Sequence, residues 1–294
     1  MAGARLLERL QHGDHVCAFV DGVDDGLDLT AQVVRAGLAA GDKIMVFTES
    51  LLPVAVFAGL ESRGVPVGDA RAGQVQVLSA RDAYLPAGRF EPAAMLGALV
   101  EHIAGAAAEG YPGLRLVGDM AWVLAGPPGA DRLAEYEALV NGLYMDGRAL
   151  GVCLYDRRAF DRDLLRQVAS AHPAMITDGD GADWAPLVRL RRTTDPYGLR
   201  VSGEADLSTA HALAAAVDAV LDRQPEPAVP IHVDLAGLRF ADAATAALLG
   251  RLAQRAPAGV HVVGCCRVVE RVLDHVGVKE LSKVRVEPGT ELIA

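Results

Sequence analysis

Short apolar runs alternate with longer amphipathic ones along the first part of the chain. His15–Val20, Lys43–Thr48, Val75–Ser79, Leu114–Gly118 and Ala149–Tyr155 are rich in β-formers and bounded by turn residues, which predicts five strands. Between them, Leu27–Ala40, Leu51–Arg63, Pro92–Glu109 and Arg132–Tyr144 carry helical periodicity, and Asp161–Ala171 follows the fifth strand. Acids, Ser or Pro open most of these helices, and Gly41, Gly64 and Gly110 close three of them. Strands that are apolar throughout and separated by helices predict an α/β unit with a mainly parallel sheet covered on both faces.

The pattern breaks at Thr177–Pro186, a polar stretch rich in turn residues. This predicts a first domain over 1–178, a linker at 179–186 and a smaller α/β domain over 187–294. In the second domain Leu187–Arg191 and Gly198–Ser202 read as a hairpin turning near Asp195-Pro196. An Ala-rich helix over Leu207–Leu221 follows. Strand Ile231–Leu235, helix Ala243–Arg255, strand Val260–Val263, helix Val268–His275 and strand Val284–Val286 complete the reading. Arg223–Pro230 is a Pro-rich loop within that domain, and no internal repeat is visible.

Composition narrows the function classes. The chain has 294 residues, a net charge of −10 and 51% hydrophobic residues. The apolar content is too high for a disordered chain. The acidic balance argues against nucleic-acid binding, where a basic face supplies most of the affinity. No apolar run reaches the length of a membrane helix, and the first ten residues have charges in a helical pattern rather than a signal-peptide block. Cys17, Cys153, Cys265 and Cys266 form no C-x-x-C pair and no disulfide framework. The expectation is a cytoplasmic protein with reduced thiols.

Several chemistry-bearing residues share faces of predicted strands. His15 and Cys17 are two apart on the first strand, and Cys153 and Tyr155 repeat that arrangement on the fifth. His172-Pro173 ends the last helix of the first domain. These groups are expected to converge at the C-terminal ends of the strands, where open α/β sheets place ligands.

In the second domain, Gly203-Glu204-Ala205-Asp206-Leu207-Ser208-Thr209 follows a strand and opens a helix. Asp206 or Ser208 is placed to cap that helix, and Gly203 permits a tight turn. Together with His232-Val-Asp-Leu-Ala-Gly-Leu-Arg-Phe-Ala-Asp242, this segment resembles the two motifs of STAS domains, the anti-sigma-factor antagonist family. The resemblance implies a binding module that docks on an anti-sigma factor of the histidine-kinase-like ATPase type. In that family the partner phosphorylates a Ser or Thr at the start of the helix after the second motif. The corresponding residues here are Asp242, Ala243, Ala244 and Thr245, so the expected hydroxyl position is Ala244 and Thr245 falls on the usual Gly. Phosphate would add roughly −1.5 to −2 charge there, which alanine cannot carry. Thr245 points about 100° further round the helix and reads as an ordinary helix-start residue. The usual phospho-switch is expected to be lost.

In the first domain, His15-Val-Cys17, Tyr84-Leu-Pro-Ala-Gly-Arg-Phe90, Gly118-Asp-Met-Ala-Trp122, Tyr136-Glu137, Cys153-Leu-Tyr-Asp-Arg157 and His172-Pro173 resemble the MEDS domain. This sensory domain is named for methanogens, methylotrophs and a dichloromethane-response regulator. The resemblance implies a RecA-like three-layer sheet and a role in sensing small molecules. Lys43–Ser50 is also similar to the second-strand segment of RecA-like ATPases, which ends in acids. The phosphate loop is degenerate, however. Asp21–Asp28 has no Lys and no adjacent Ser or Thr, and its four acids would repel a triphosphate by roughly 4 kcal/mol per pair of unit charges about 4 Å apart. Asp119 stands where a magnesium-binding Asp is expected but lacks those companions.

The expected ligand-contact residues are His15, Cys17, Glu49, Tyr84, Trp122, Glu137, Cys153, Tyr155 and His172. His15, Cys17, Cys153 and His172 would also make a zinc-type donor set. Their spacings are not those of structural zinc sites, and buried Cys is commonly a small core residue, so a packed polar pocket is preferred. The aromatics Tyr84, Phe90, Trp122, Tyr136 and Tyr155 suit either a ligand pocket or plain core packing. Arg157 has Glu137 or an anionic ligand as candidate partners. No oxyanion loop or third orienting residue supports a His–Cys nucleophile, so no enzyme is expected. These readings imply a regulator in which the first domain senses a small organic molecule or redox cue and the second binds an anti-sigma factor, with homodimerisation left open. A scaffold in a multi-protein stress complex and a weak nucleotide-binding protein are the alternatives.

Overall fold

The computed structural model describes residues 10–176 and 188–288. The linker expected at 179–186 lies outside them. The chain divides into two compact units, the first mainly up to residue 169 and the second mainly from residue 185.

In the first unit, strands β1 (His15–Val20), β2 (Lys43–Thr48), β3 (Val75–Ser79), β4 (Leu114–Asp119) and β5 (Ala149–Asp156) appear where the apolar runs predict them. A short β6 (Ala174–Ile176) completes a six-stranded sheet of order β3-β2-β4-β5-β1-β6. The pairings of β1 with β5, β2 with β3 and β4, and β4 with β5 are all parallel. Helices α1 (Val23–Ala40), α2 (Pro53–Ser62), α3 (Ala80–Tyr84), α4 (Pro92–Ala108), α5 (Leu133–Leu139), α6 (Asn141–Tyr144) and α7 (Arg162–Ala171) connect them. α1 stops at Gly41, whose φ of 75° lies in the left-handed region that glycine adopts without strain.

The helix expected over Arg132–Tyr144 is split into α5 and α6. The side-chain amide of Asn141 explains the offset. It donates to the backbone oxygens of Glu137 (3.2 Å) and Ala138 (3.0 Å), in competition with the regular helical ladder.

One face of this sheet carries an aromatic core. Tyr84 stacks on Trp122 at 5.1 Å, Phe90 lies 4.8 Å from Trp122, and Tyr136 meets Tyr84 edge-on at 6.0 Å. All four are buried. At the opposite edge of the strands, the buried Asp42 receives Arg115 Nε at 2.7 Å and His12 Nε2 at 3.0 Å. Burial alone would raise Asp42, but the hydrogen bonds and charges of His12 and Arg115 win and hold it below the ordinary carboxylate range.

In the second unit, β7 (Val188–Thr194), β8 (Tyr197–Ala205), β9 (Ile231–Ala241), β10 (Val260–Cys265) and β11 (Val284–Pro288) form a sheet of order β11-β10-β9-β8-β7. β7 and β8 are the predicted antiparallel hairpin, and the remaining pairings are parallel. Helices α8 (Ala210–Asp222), α9 (Ala243–Arg255) and α10 (Arg267–His275) cover it. Gly203 does not make the expected tight turn. It sits inside β8 with φ 99°, next to a register shift at Glu204, so its freedom serves a bulge.

Candidate functional site

The first unit contains a buried polar cluster. The parallel register sets Cys17 beside Cys153 and His15 beside Gly151. His15 therefore opens β1 and Cys153 lies in mid-β5, not at the C-terminal strand ends where the sequence pattern placed their convergence. Cys153 Sγ lies 3.4 Å from His15 Nε2 and 3.6 Å from Glu137 Oε2, and His15 Nε2 lies 3.3 Å from the same Glu137 oxygen. Tyr155 donates its hydroxyl to Glu137 Oε1 at 2.6 Å. His15 Nδ1 faces Asn141 Oδ1 at 3.0 Å, and the imidazole stacks on Tyr144 at 4.9 Å. Burial, followed by the Glu137 charge, raises the thiols of Cys17 and Cys153 well above their ordinary range. Burial likewise raises the hydroxyls of Tyr84, Tyr136, Tyr144 and Tyr155. A void of only about 10 Å³ adjoins the cluster, bounded in part by His15, Tyr84, Tyr136, Tyr144 and Cys153. That is room for about one water-sized guest, not for an organic molecule.

A different cleft lies at the C-terminal strand ends. Its volume is about 160 Å³, and Val20, Leu27, Thr48, Leu51, Asp119, Leu124, Leu154 and Asp156 are among its lining residues. None of the nine residues expected to contact ligand lines it. Glu49, just past β2, pairs with Arg81 at 2.7 Å instead. Trp122 belongs to the aromatic core, and His172 is buried immediately past α7.

The acids around this cleft are already engaged. Asp119 Oδ2 accepts the backbone N–H of Glu49 (3.0 Å) and Ser50 (2.6 Å), and its Oδ1 accepts that of Ala121 (3.0 Å). Burial would raise Asp156, but hydrogen bonds and charge from Arg158 hold it low. Arg157 pairs with Asp21 through two nitrogens, at 2.6 and 3.1 Å, and not with Glu137. Where a phosphate loop would need an open backbone cradle, the Arg158 guanidinium lies against Gly22. Arg63 also pairs with Asp28, so the acidic loop is less repulsive than its sequence suggests.

In the second unit, Asp206 Oδ1 accepts the N–H of Ser208 at 2.8 Å and caps the turn that precedes α8. Asp242 caps α9 by accepting the N–H of Thr245 at 2.8 Å. Thr245 is buried and donates its hydroxyl to the Ala205 oxygen at 3.2 Å. Ala243 and Ala244 are exposed at the helix start.

Residues 14–173, more than half of the chain, match the family model for the methanogen/methylotroph, DcmR sensory domain, MEDS. The chain belongs to the MEDS family. Residues 188–285 match the model described as Mlab, STAS domain, so a MEDS domain is followed by a STAS domain. Among solved structures, the flagellar accessory protein FlaH from Methanocaldococcus jannaschii is 11% identical with a TM-score of 0.40, over 66% of this chain and 86% of that one. A protein from Pyrococcus horikoshii OT3 is 8% identical with a TM-score of 0.38, over 69% and 92% respectively. No curated protein matches.

Within the MEDS domain, the zinc-type set read from the sequence changes composition. Among the described residues, the cluster of His, Cys and acidic donors close enough to share an ion is His15, Glu137, Cys153 and His172, whose ligand atoms all lie within 4.8 Å of one another, so Glu137 takes the place expected for Cys17. Asn141 was not among the expected site residues. It stands four residues after Glu137, hence on the same helix face, and that spacing is the signal that points to it. Among the described residues, no helix is long and apolar enough to cross a membrane.

Proposed function

We propose that this chain is a non-enzymatic signalling protein of transcription regulation. Its MEDS domain takes up a small organic molecule, and its STAS domain binds an anti-sigma factor of the histidine-kinase-like ATPase type. The observation that carries the reading is the cleft at the strand ends. Its walls include Val20, Leu27, Leu51, Leu124 and Leu154, its acids are tied to backbone N–H groups and arginines, and it has no lysine to hold a phosphate. Apolar walls with a few fixed polar groups suit a small uncharged guest. The STAS helix start supports a partner surface that works without a phosphate switch, since Ala244 is exposed and the Thr245 hydroxyl is engaged inside. A guest alters partner binding only through a difference in affinity between two states.

The test uses the full chain. Native mass spectrometry reads the bound small molecule, and capture of a sigma-inhibiting ATPase is measured with and without Leu124→Trp, a bulky change at a half-exposed wall residue. The expected result is an organic adduct lost in the variant and altered capture. Absence of both the adduct and the ATPase sinks the reading.

A further inference from the structure

We propose that His15, Glu137 and Cys153, with His172 as the fourth donor of their cluster, bind a divalent transition-metal ion of the zinc class in the interior of the MEDS domain. The inference is independent of the organic guest, which concerns the cleft at the strand ends.

Three observations converge. The first is spacing. Donors around a tetrahedral zinc ion, with bonds of about 2.0–2.3 Å, stand about 3.3–3.6 Å from one another. The three edges here are 3.3, 3.4 and 3.6 Å. Nitrogen, oxygen and sulfur donors in one set suit zinc and its neighbours rather than calcium or magnesium.

The second is the fixed tautomer. The Asn141 amide nitrogen donates to the Glu137 and Ala138 oxygens, so its carbonyl oxygen is the atom that faces His15 Nδ1. That oxygen accepts, so Nδ1 carries the hydrogen and the lone pair of neutral His15 sits on Nε2. Nε2 then aims a lone pair at a carboxylate oxygen 3.3 Å away. Two lone pairs face each other across that gap, and a cation must lie between them: either a proton or a metal. Tyr155 holds the other Glu137 oxygen, so both the imidazole and the carboxylate are oriented by outer partners, as metal ligands usually are.

The third is space and charge. A void of about 10 Å³ bounded by His15 and Cys153 adjoins the donors. A dipositive ion with one carboxylate and one thiolate is neutral, which a buried site requires. The ion takes the place of the thiol proton of Cys153 and of the proton between His15 and Glu137, and both leave to solvent, so charge balances with two protons for one metal ion.

The experiment takes the full chain, stripped with a chelator under reducing conditions and titrated with Co²⁺ and Zn²⁺. The expected result is one ion per chain and a thiolate-to-cobalt charge-transfer band. That band is absent in Cys153→Ala and kept in Cys17→Ala and Cys266→Ala. Asn141→Leu weakens binding about 10–100-fold by releasing the imidazole. Calorimetry in buffers of different ionisation enthalpy reads release of about two protons. A folded wild-type chain that takes up no metal overturns the proposal and leaves a proton between His15 and Glu137 as the answer. A band that survives in Cys153→Ala overturns it as well. Should that variant fail to fold, the wild-type stoichiometry and proton release decide.

Discussion

Two places on the same strands of the MEDS domain treat their acids in opposite ways. At the strand ends Asp119 and Asp156 border a cleft and look, from sequence position, like catalytic groups. Yet Asp119 accepts three backbone N–H groups, and Asp156 is held by Arg158. They shape the cleft and have little capacity left for a bound ion. In the interior, Glu137 is fully buried, and one of its oxygens faces a histidine and a cysteine. The acids positioned like an active site are tied into the structure, while the cluster of potential metal donors lies inside the fold where a core would be expected.

The largest expected effect breaks this comparison from the inside. Glu137→Ala leaves His15, Tyr155 and Cys153 facing an empty space in a dry interior. Each buried polar group left without its partner costs about 1–3 kcal/mol, and here His15 and Tyr155 lose theirs together. Urea denaturation of the stripped protein measures that loss. A change below 1 kcal/mol (about) would mean that water already reaches the cluster.

The Asp42–Arg115–His12 group, at the other edge of the strands, gives the next effect and a pH signature. Asp42→Asn is expected to cost about 1.5–3 kcal/mol, the usual worth of hydrogen bonds to a charged group. The folded-state pKa of Asp42 lies below its ordinary value of 3.8. Its stabilisation is therefore fully present above pH 3.8 and is lost as pH falls through the lower folded value. Stability against pH should slope down across that acid window in the wild type, and the slope should be shallower in Asp42→Asn.

Asp119→Asn sharpens the other side. One of its oxygens becomes an amide that cannot accept, so part of the backbone clamp at Glu49, Ser50 and Ala121 is lost. The expected cost is about 1–2 kcal/mol. Calorimetry at millimolar ATP with magnesium should show no binding in wild type or variant, because Asp119 is a clamp in both.

The sheet and its partners were largely legible before any coordinates. Continuous runs such as Lys43–Thr48 match β2 to the residue, because the strand is buried along its whole length and turn residues flank it. The two domains were readable from motif segments. What escaped was set by side-chain hydrogen bonds between distant segments. The split at Val140 depends on Asn141 bonding back to its own helix, and β6 is three residues long, too short for periodicity to register. The donor cluster was legible in three of its four members. His15, Cys153 and His172 stood out by type, but the strand register and the face of α5 decide that Glu137, and not Cys17, joins them. Gly203 was legible as a residue of special backbone, but bulge and turn make the same demand for positive φ.

The smallest stability effects belong to the STAS helix start, where they separate structure from partner binding. Asp242→Ala removes the cap on α9 and should cost about 1 kcal/mol. Ala244→Asp lies in the first turn of the helix, is exposed, and puts a negative charge near the positive end of the helix dipole, so it should leave stability unchanged or raise it by about 0.3–1 kcal/mol. If the helix start at Ala243 and Ala244, where the chain is exposed, contacts the partner, the same aspartate imitates the charge that a phosphate would bring and should weaken capture of the ATPase. Thermal melting and capture measured on one preparation then move in opposite directions. If capture is unchanged while melting is steady or raised, this helix start is not the docking surface. The contrast holds because Thr245, one residue further on, is turned inward onto the Ala205 oxygen and takes no part in that surface.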